Sequence, residues 1–229
     1  MSATAWEPEA EPQSHEEVHR SPLCPEVVTD ARRRGITSIV HFTHIKGLVG
    51  ILASSAVKAR KDLPNDEMVK YVYEANAADR SLDEPWHNYT NLSVTDINPY
   101  MFQYSKHNHP SNRWVILEFS EEILGDRGVV FCTTNNIYPA VRRSRGLEGF
   151  SQMFAPKVPG RYENLSTRER REPHQPTDPQ AEVLYPYSLS LDHLHTVTAC
   201  DNEIYDAAVA ALANFPQNPR INIDPEAFR

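Results

Sequence analysis

The sequence predicts an α+β domain, a mixed or antiparallel β-sheet core with flanking helices. Three observations predict it. Roughly six short apolar runs have strand composition, while helical periodicity gathers near the two ends of the chain, so no βαβ rhythm builds a parallel sheet. The eight glycines form neither G-x-G-x-x-G nor G-x-x-x-x-G-K-[ST], which removes the dinucleotide-binding and P-loop readings. A length of 229 residues, 40% hydrophobic and 24% charged, suits one sizeable core with polar extensions.

Residues 1–30 are rich in Pro, Glu and Ser, with too few apolar groups to offset ordering entropy, and read as a disordered acidic leader. The domain follows over residues 31–215. Within "ITSIVHFTHI" a strand is expected at 37–43. In "IKGLVGILAS", Ile45, Leu48, Val49 and Leu52 fall at i, i+3, i+4 and i+7, the spacing of an amphipathic helix. Residues 60–88 are polar and poorly periodic, a helix with a loop ending at "DEPWHNYT". "TNLSVTDI" reads as a short strand, "WVILEFS" (114–120) as a central one and "GVVFCTT" (128–134) as another. In "INPYMFQYS" (97–105), Tyr100, Phe102 and Tyr104 are read as core.

Between Pro156 and Pro179 no periodic pattern survives; the stretch holds five prolines and a cluster of arginines, the character of a functional or disordered loop. "AEVLYP" and "HTVTA" supply two more strands, and "NEIYDAAVAALANF" a helix stopped by Pro216 and Pro219. Residues 216–229 are left as a C-terminal tail.

Several function classes are excluded. No apolar run approaches the roughly 20 residues of a membrane helix, so no membrane association is expected. The acidic N-terminus has no apolar h-region, which places the protein in the cytoplasm and makes the sequons at Asn88, Asn91 and Asn164 accidental. Cys24, Cys132 and Cys200 are three widely spaced thiols without a CxxC, matching neither a disulfide framework nor a zinc cluster. His107, His109, His193 and His195 lack partners at ligand spacing and read as surface histidines, so no metal is expected.

Charge is polarised along the chain. The net charge is −8, yet residues 1–30 carry seven acids and one base, whereas 141–171 carry eight bases and three acids. The local basic segment is the electrostatic footprint of a nucleic-acid partner. It leads into "DPQAEVLYP", where Glu182 stands alone in an apolar strand. A carboxylate buried there without a partner costs about 3–5 kcal/mol, so the residue needs a purpose.

Taken in order, "VHFTHIKGLVGIL", "ADRSLDEPWHNYTNLSVTDIN", "VVFCTTNN" and the basic loop before "QAEVLYP" resemble the DarT family of DNA ADP-ribosyltransferase toxins, over roughly residues 36–200. The set consists of a strand-borne H-x-T, an arginine some forty residues on, and Q-x-E after a long loop. The resemblance implies an ADP-ribosyltransferase-like fold and NAD-dependent modification of thymidine or guanosine in single-stranded DNA, with NAD consumed as substrate. It also implies an ADP-ribosyl-hydrolase antitoxin as partner. Residue by residue, it assigns His41, Phe42 and Thr43 to the nicotinamide and its ribose, Gly50 to close approach of the dinucleotide, and Lys58 to the adenosine half. Arg80 and Glu182 take the catalytic roles, Arg80 also binding NAD. Asn135 (or Asn136) falls near the nucleobase, and Arg142, Arg143, Arg145 and Phe154 (or Tyr162) at the DNA.

Without the resemblance these residues have plainer readings: His41 a histidine satisfied at a strand end, Glu182 an edge-strand glutamate reaching solvent, the arginine run a solvated face. Two alternatives of function stay open. One is a non-catalytic nucleic-acid-binding module on the same scaffold; the other is an ADP-ribosyltransferase acting on RNA or protein.

Overall fold

A computed structural model describes residues 14–63, 81–160 and 164–229. The elements begin with α1 (His15–Arg20), α2 (Pro25–Arg33), β1 (Ile39–His44), α3 (Ile45–Ser54) and β2 (Ala56–Val57). They continue with β3 (Tyr89–Val94), α4 (Pro99–Asn108), β4 (Trp114–Phe119), β5 (Val130–Cys132) and β6 (Arg143–Ser144). Then come α5 (Gly146–Gln152), β7 (Lys157–Pro159), β8 (Leu165–Thr167) and β9 (Glu182–Pro186). The chain closes with β10 (Leu189–Ser190), β11 (Leu194–Ala199), α6 (Asn202–Leu212) and β12 (Arg220–Ile223).

Eight strands form one sheet in the order β12-β11-β4-β1-β3-β9-β5-β6. Every pairing is antiparallel except β11 with β12, so the sheet is mixed as expected. Strand alternation sends side chains to two faces. Ile39, Leu92, Val94, Leu117, Phe131, Val183 and Val197 join the main core, against α2, α3, α5 and α6. On the opposite face Val40, Phe102, Trp114, Ile116 and Phe228 make a second cluster under α4. Trp86, Tyr89, Val130, Cys132, Val141 and Leu184 make a third. Glu182 shares its side of β9 with Leu184, and therefore faces away from the main core.

The structure corrects three expectations. Residues 14–30 do not fit a disordered leader. Ser14 and Glu17 close a capping box on α1, Pro25 sits in the first turn of α2, and Val27 and Ala31 lie fully inside the main core. Buried Asp30 accepts from both Arg33 and Arg34, and these partners hold its carboxyl below the ordinary range against the raising effect of burial. The tail beyond residue 216 is also folded: β12 pairs in parallel with β11, and Phe228 fills the second cluster. Lastly, 97–105 is largely helical. Asn98 caps α4 at Tyr100 N and Met101 N; Phe102 is core, but Tyr100 and Tyr104 are exposed.

Candidate active site

Glu182 opens β9 opposite Cys132 of β5 and is buried. Among the described residues, three donors converge on its carboxylate. Asn135 Nδ2 donates to Oε1 at 2.9 Å, the Asn136 backbone N–H to Oε2 at 3.1 Å, and Asn91 Nδ2 to Oε2 at 3.2 Å. So many donors on one carboxylate favour its anion and fix its direction. Asn135 is locked in turn, since its Oδ1 accepts from Ile137 N at 3.1 Å. The edge-strand reading, with the glutamate reaching solvent, therefore fails for Glu182. Beneath it, burial and the Glu182 charge push the Cys132 thiol well above its ordinary pKa, so it stays protonated and serves as packing.

Beside this carboxylate the sheet opens. β1 pairs with β4 along its whole length, Ile39 to His44, but with β3 only at Ile39 and Val40. Past that point β3 pairs with β9 instead, and among the described residues the β1 edge from His41 onward has no strand partner on its β3 side. His41 Nδ1 crosses the gap to Asn91 O at 3.1 Å. A carbonyl only accepts, so Nδ1 carries the proton and Nε2 presents a lone pair. An unpaired strand edge offers the N–H and C=O pair that a primary carboxamide needs.

The neighbouring residues divide by their contacts. The Phe42 ring packs on Phe102 and Trp114 at 5.4 and 5.8 Å, which leaves only its backbone for the gap. Thr43 is half-buried, and its Oγ1 lies so close to Gly47 that a Cβ there would sit 2.3 Å away. On α3 this tight packing is internal, between Gly47 and Thr43; Gly50 is a half-buried residue in the middle of that helix. Lys58 is half-buried just after β2, and nearby Arg60 Nη1 is buried with no hydrogen-bond partner, as an anion-binding nitrogen would be. Arg80 and Tyr162 lie outside the described residues.

The residues assigned to DNA separate most sharply. Arg142 is exposed. Arg143 turns inward onto Asn136 and stacks 5.3 Å from the Trp86 ring. Arg145 starts α5 and lines a cavity of about 200 Å³ with Cys24, Asp126 and Phe131, on the main-core side of the sheet and not beside Glu182. Phe154 is core: it meets Phe150 at 5.1 Å, and the Arg34 guanidinium covers it at 4.1 Å. It cannot stack on a base without leaving that core.

The long basic stretch is only partly a solvated run: Lys157 and Arg170 are exposed, but two of its arginines are folded inward. Arg168 donates to the carbonyls of Glu172 and Gln175 at 2.8 and 2.9 Å, and Arg171 to that of Pro176 at 2.8 Å. Asp178 accepts from Ser166 Oγ at 3.0 Å and from Gln180 N at 2.7 Å, and Gln180 accepts from Tyr138 OH at 2.8 Å. The stretch includes the β7–β8 ribbon, so it arrives at Glu182 already shaped.

Comparison with known proteins matches residues 40–229 to the family model "ssDNA thymidine ADP-ribosyltransferase, DarT". The chain belongs to the DarT family. That membership makes it an NAD-dependent DNA ADP-ribosyltransferase, with single-stranded DNA as the macromolecular partner. Two solved structures of Thermus sp. 2.9 DarT resemble it at 19% identity and TM-score 0.60. One, in complex with NAD+, covers 84% of this chain and 98% of its own; the other, with ADP-ribosylated ssDNA, covers 91% and 100%. Thermosipho africanus DarTG in complex with ADP-ribose is 13% identical at TM-score 0.51, over 84% of this chain and 51% of its own. No curated protein sequence matches. At these identities the structural likeness establishes the ADP-ribosyltransferase-like fold.

Among the described residues of this DarT chain, no group of His, Cys, Asp or Glu side chains is placed to hold a metal ion, and no helix is long and apolar enough to cross a membrane. Asn91, which donates to the Glu182 carboxylate, was not singled out from the sequence, and Asn136, expected near the nucleobase, also donates to it. The available signal was chemical: an asparagine inside a short strand is disfavoured unless its amide has a partner.

His41 carries a pH signature. Burial lowers its imidazole below the ordinary value, outweighing the bond to Asn91 O. The folded-state value thus lies below the unfolded one of about 6.5, so this contribution is complete above the unfolded value and is lost as pH falls from there through the lower folded value. The thermal midpoint should drop between pH 7.5 and 5, and less steeply in His41→Gln. Parallel melting curves for the two proteins would show that His41 titrates normally.

Proposed function

We propose that this chain transfers ADP-ribose from NAD+ to thymidine in single-stranded DNA, with Glu182 as the catalytic carboxylate. The observation that carries this reading is the buried anion, held by three donors beside the unpaired edge of β1. A fixed carboxylate in a partly dry cleft suits a reaction in which positive charge grows on a sugar carbon. Glu182 would hold the ribose 2′-hydroxyl and stabilise C1″ as the bond to nicotinamide breaks and nicotinamide leaves with the bonding pair. The β1 edge at His41–Thr43 would hold the carboxamide, with the Thr43 hydroxyl toward the ribose. Lys58, Arg60 and Arg80 would supply positive charge for the pyrophosphate, and the buried, unpartnered Asn136 Nδ2 a donor for the incoming base.

The attacking atom follows from the acceptor. In a nucleoside, thymine's remaining ring N–H is N3; that nitrogen bonds to C1″ and its proton passes to Glu182 or water. Thymidine is preferred over guanosine because the matching family model is a thymidine transferase. We extend the reading to a toxin of the cytoplasm: modified template bases would block copying, so a partner hydrolase that removes the ADP-ribose is implied.

The test is direct. Incubation with NAD+ and oligonucleotides each lacking one base should add one ADP-ribose mass to every substrate containing thymidine, with release of nicotinamide. Modification of the thymidine-free oligonucleotide alone moves the acceptor to another base. Nicotinamide release without any DNA adduct, or no release at all, rejects the transferase reading.

A further inference from the structure

We propose that Arg143 is a positioning residue for Glu182, holding the Asn135–Asn136 turn against the carboxylate instead of binding the DNA backbone. The proposal rests on the reading of Glu182 as the catalytic group. Arg143 lies on β6, two strands from Glu182: it pairs in register with Cys132, and Cys132 pairs with Glu182. Adjacent strands are about 4.8 Å apart, so the arginine backbone is roughly 10 Å from the glutamate backbone and acts through what lies between.

What lies between is Asn136. Arg143 Nε donates to Asn136 Oδ1 at 2.7 Å, and Nη2 donates to the Asn136 backbone oxygen. One guanidinium therefore grips both the side chain and the main chain of a single residue. Holding those two atoms braces the turn that carries the Asn136 N–H, which donates to Glu182 Oε2 at 3.1 Å. The Trp86 ring covers the guanidinium at 5.3 Å and is itself buried, so the fork works in a partly dry setting where its bonds are strong. A lysine ammonium is a point charge and cannot make the same planar, two-point grip.

The experiment uses the full chain, wild type and Arg143→Lys. Arg143→Lys should lower kcat at saturating NAD+ and oligonucleotide by about 10–100-fold, the scale set by small misplacements of a catalytic group. The KM for NAD+, the oligonucleotide affinity and its salt dependence should not move. The acid limb of the kcat–pH profile should shift to higher pH, because a carboxylate that loses an aimed donor is protonated more easily.

The opposite pattern overturns the proposal: weaker oligonucleotide binding, a salt slope smaller by about one phosphate, and unchanged saturated kcat. So does a variant indistinguishable from wild type. A ¹³C titration of the Glu182 carboxyl in both proteins needs neither NAD+ nor DNA; a higher midpoint in Arg143→Lys supports the clamp, and superimposable curves sink it. If wild type modifies no oligonucleotide, the transferase reading fails while this titration still decides the clamp. Should Arg143→Lys not fold, Arg143→Gln, which keeps one donor for the Asn136 backbone oxygen, is judged by the same outcomes.

Discussion

Glu182→Gln is expected to lower the rate of ADP-ribosyl transfer by about 10³-fold or more while the protein still unfolds cooperatively. The substitution removes a fixed charge aimed at the reacting sugar, and losing one such electrostatic stabiliser costs a rate on that scale. Stability should fall as well, by about 1–3 kcal/mol, because no orientation of the new amide suits its neighbours. Asn135 Nδ2 donates to one carboxylate oxygen, and it cannot flip because its Oδ1 is bonded to Ile137 N. At the other oxygen the Asn136 donor is a backbone N–H, fixed by the chain. Whichever side receives the glutamine NH2 then faces a donor with a donor. Transfer kinetics by mass and a chemical melt check both parts, and transfer within tenfold of wild type would remove Glu182 from the catalytic role.

Much of this arrangement was legible in the sequence, and the rest was hidden for identifiable reasons. β1, β4, β9, α3 and α6 announce themselves because burial on one or both faces imposes an apolar period that survives in the residue order. Glu182 was visible for the converse reason, as a lone acid where that period requires an apolar residue. α1 and α2 were obscured because their composition is acidic and rich in proline, although Val27 and Ala31 at i and i+4 are the stripe that enters the core. β12 is a partly exposed edge strand and shows no alternation to read.

The basic loop misled in a different way. Net charge says nothing of where a guanidinium turns. Arg168 and Arg171 are folded onto carbonyls of their own loop, and Arg143 onto Asn136. Such polar contacts have no period. Phe154 was assigned to bases for standing among these arginines, yet Arg34, from the far end of the sequence, shares its ring with Arg168. Asn91 reads as a strand residue in an accidental sequon until β3 and β9 are brought together and its amide meets Glu182.

A protein begun at residue 35, close to where the family match begins, should lose about 4–8 kcal/mol of stability and with it most of its folded population. Typical domains have only about 5–15 kcal/mol in total. The deleted stretch includes Val18, buried, and Val27 and Ala31 within the main core, and a buried aliphatic side chain contributes about 1.5–3 kcal/mol. It also removes the Cys24 N–H bond to Gly125 O at 2.9 Å and the valine against which Gly128 is packed too closely for any side chain, since a Cβ there would lie 2.6 Å from Val18 Cγ1. Loss of Arg34 uncovers the Phe154 ring, whose other guanidinium neighbour, Arg168, braces the loop leading to Glu182. Whatever of the truncated protein remains folded should therefore bind the oligonucleotide more weakly than wild type. Denaturant melts and oligonucleotide titrations of the two lengths check this. Equal midpoints would mean that α1 and α2 are carried by the domain without supporting it.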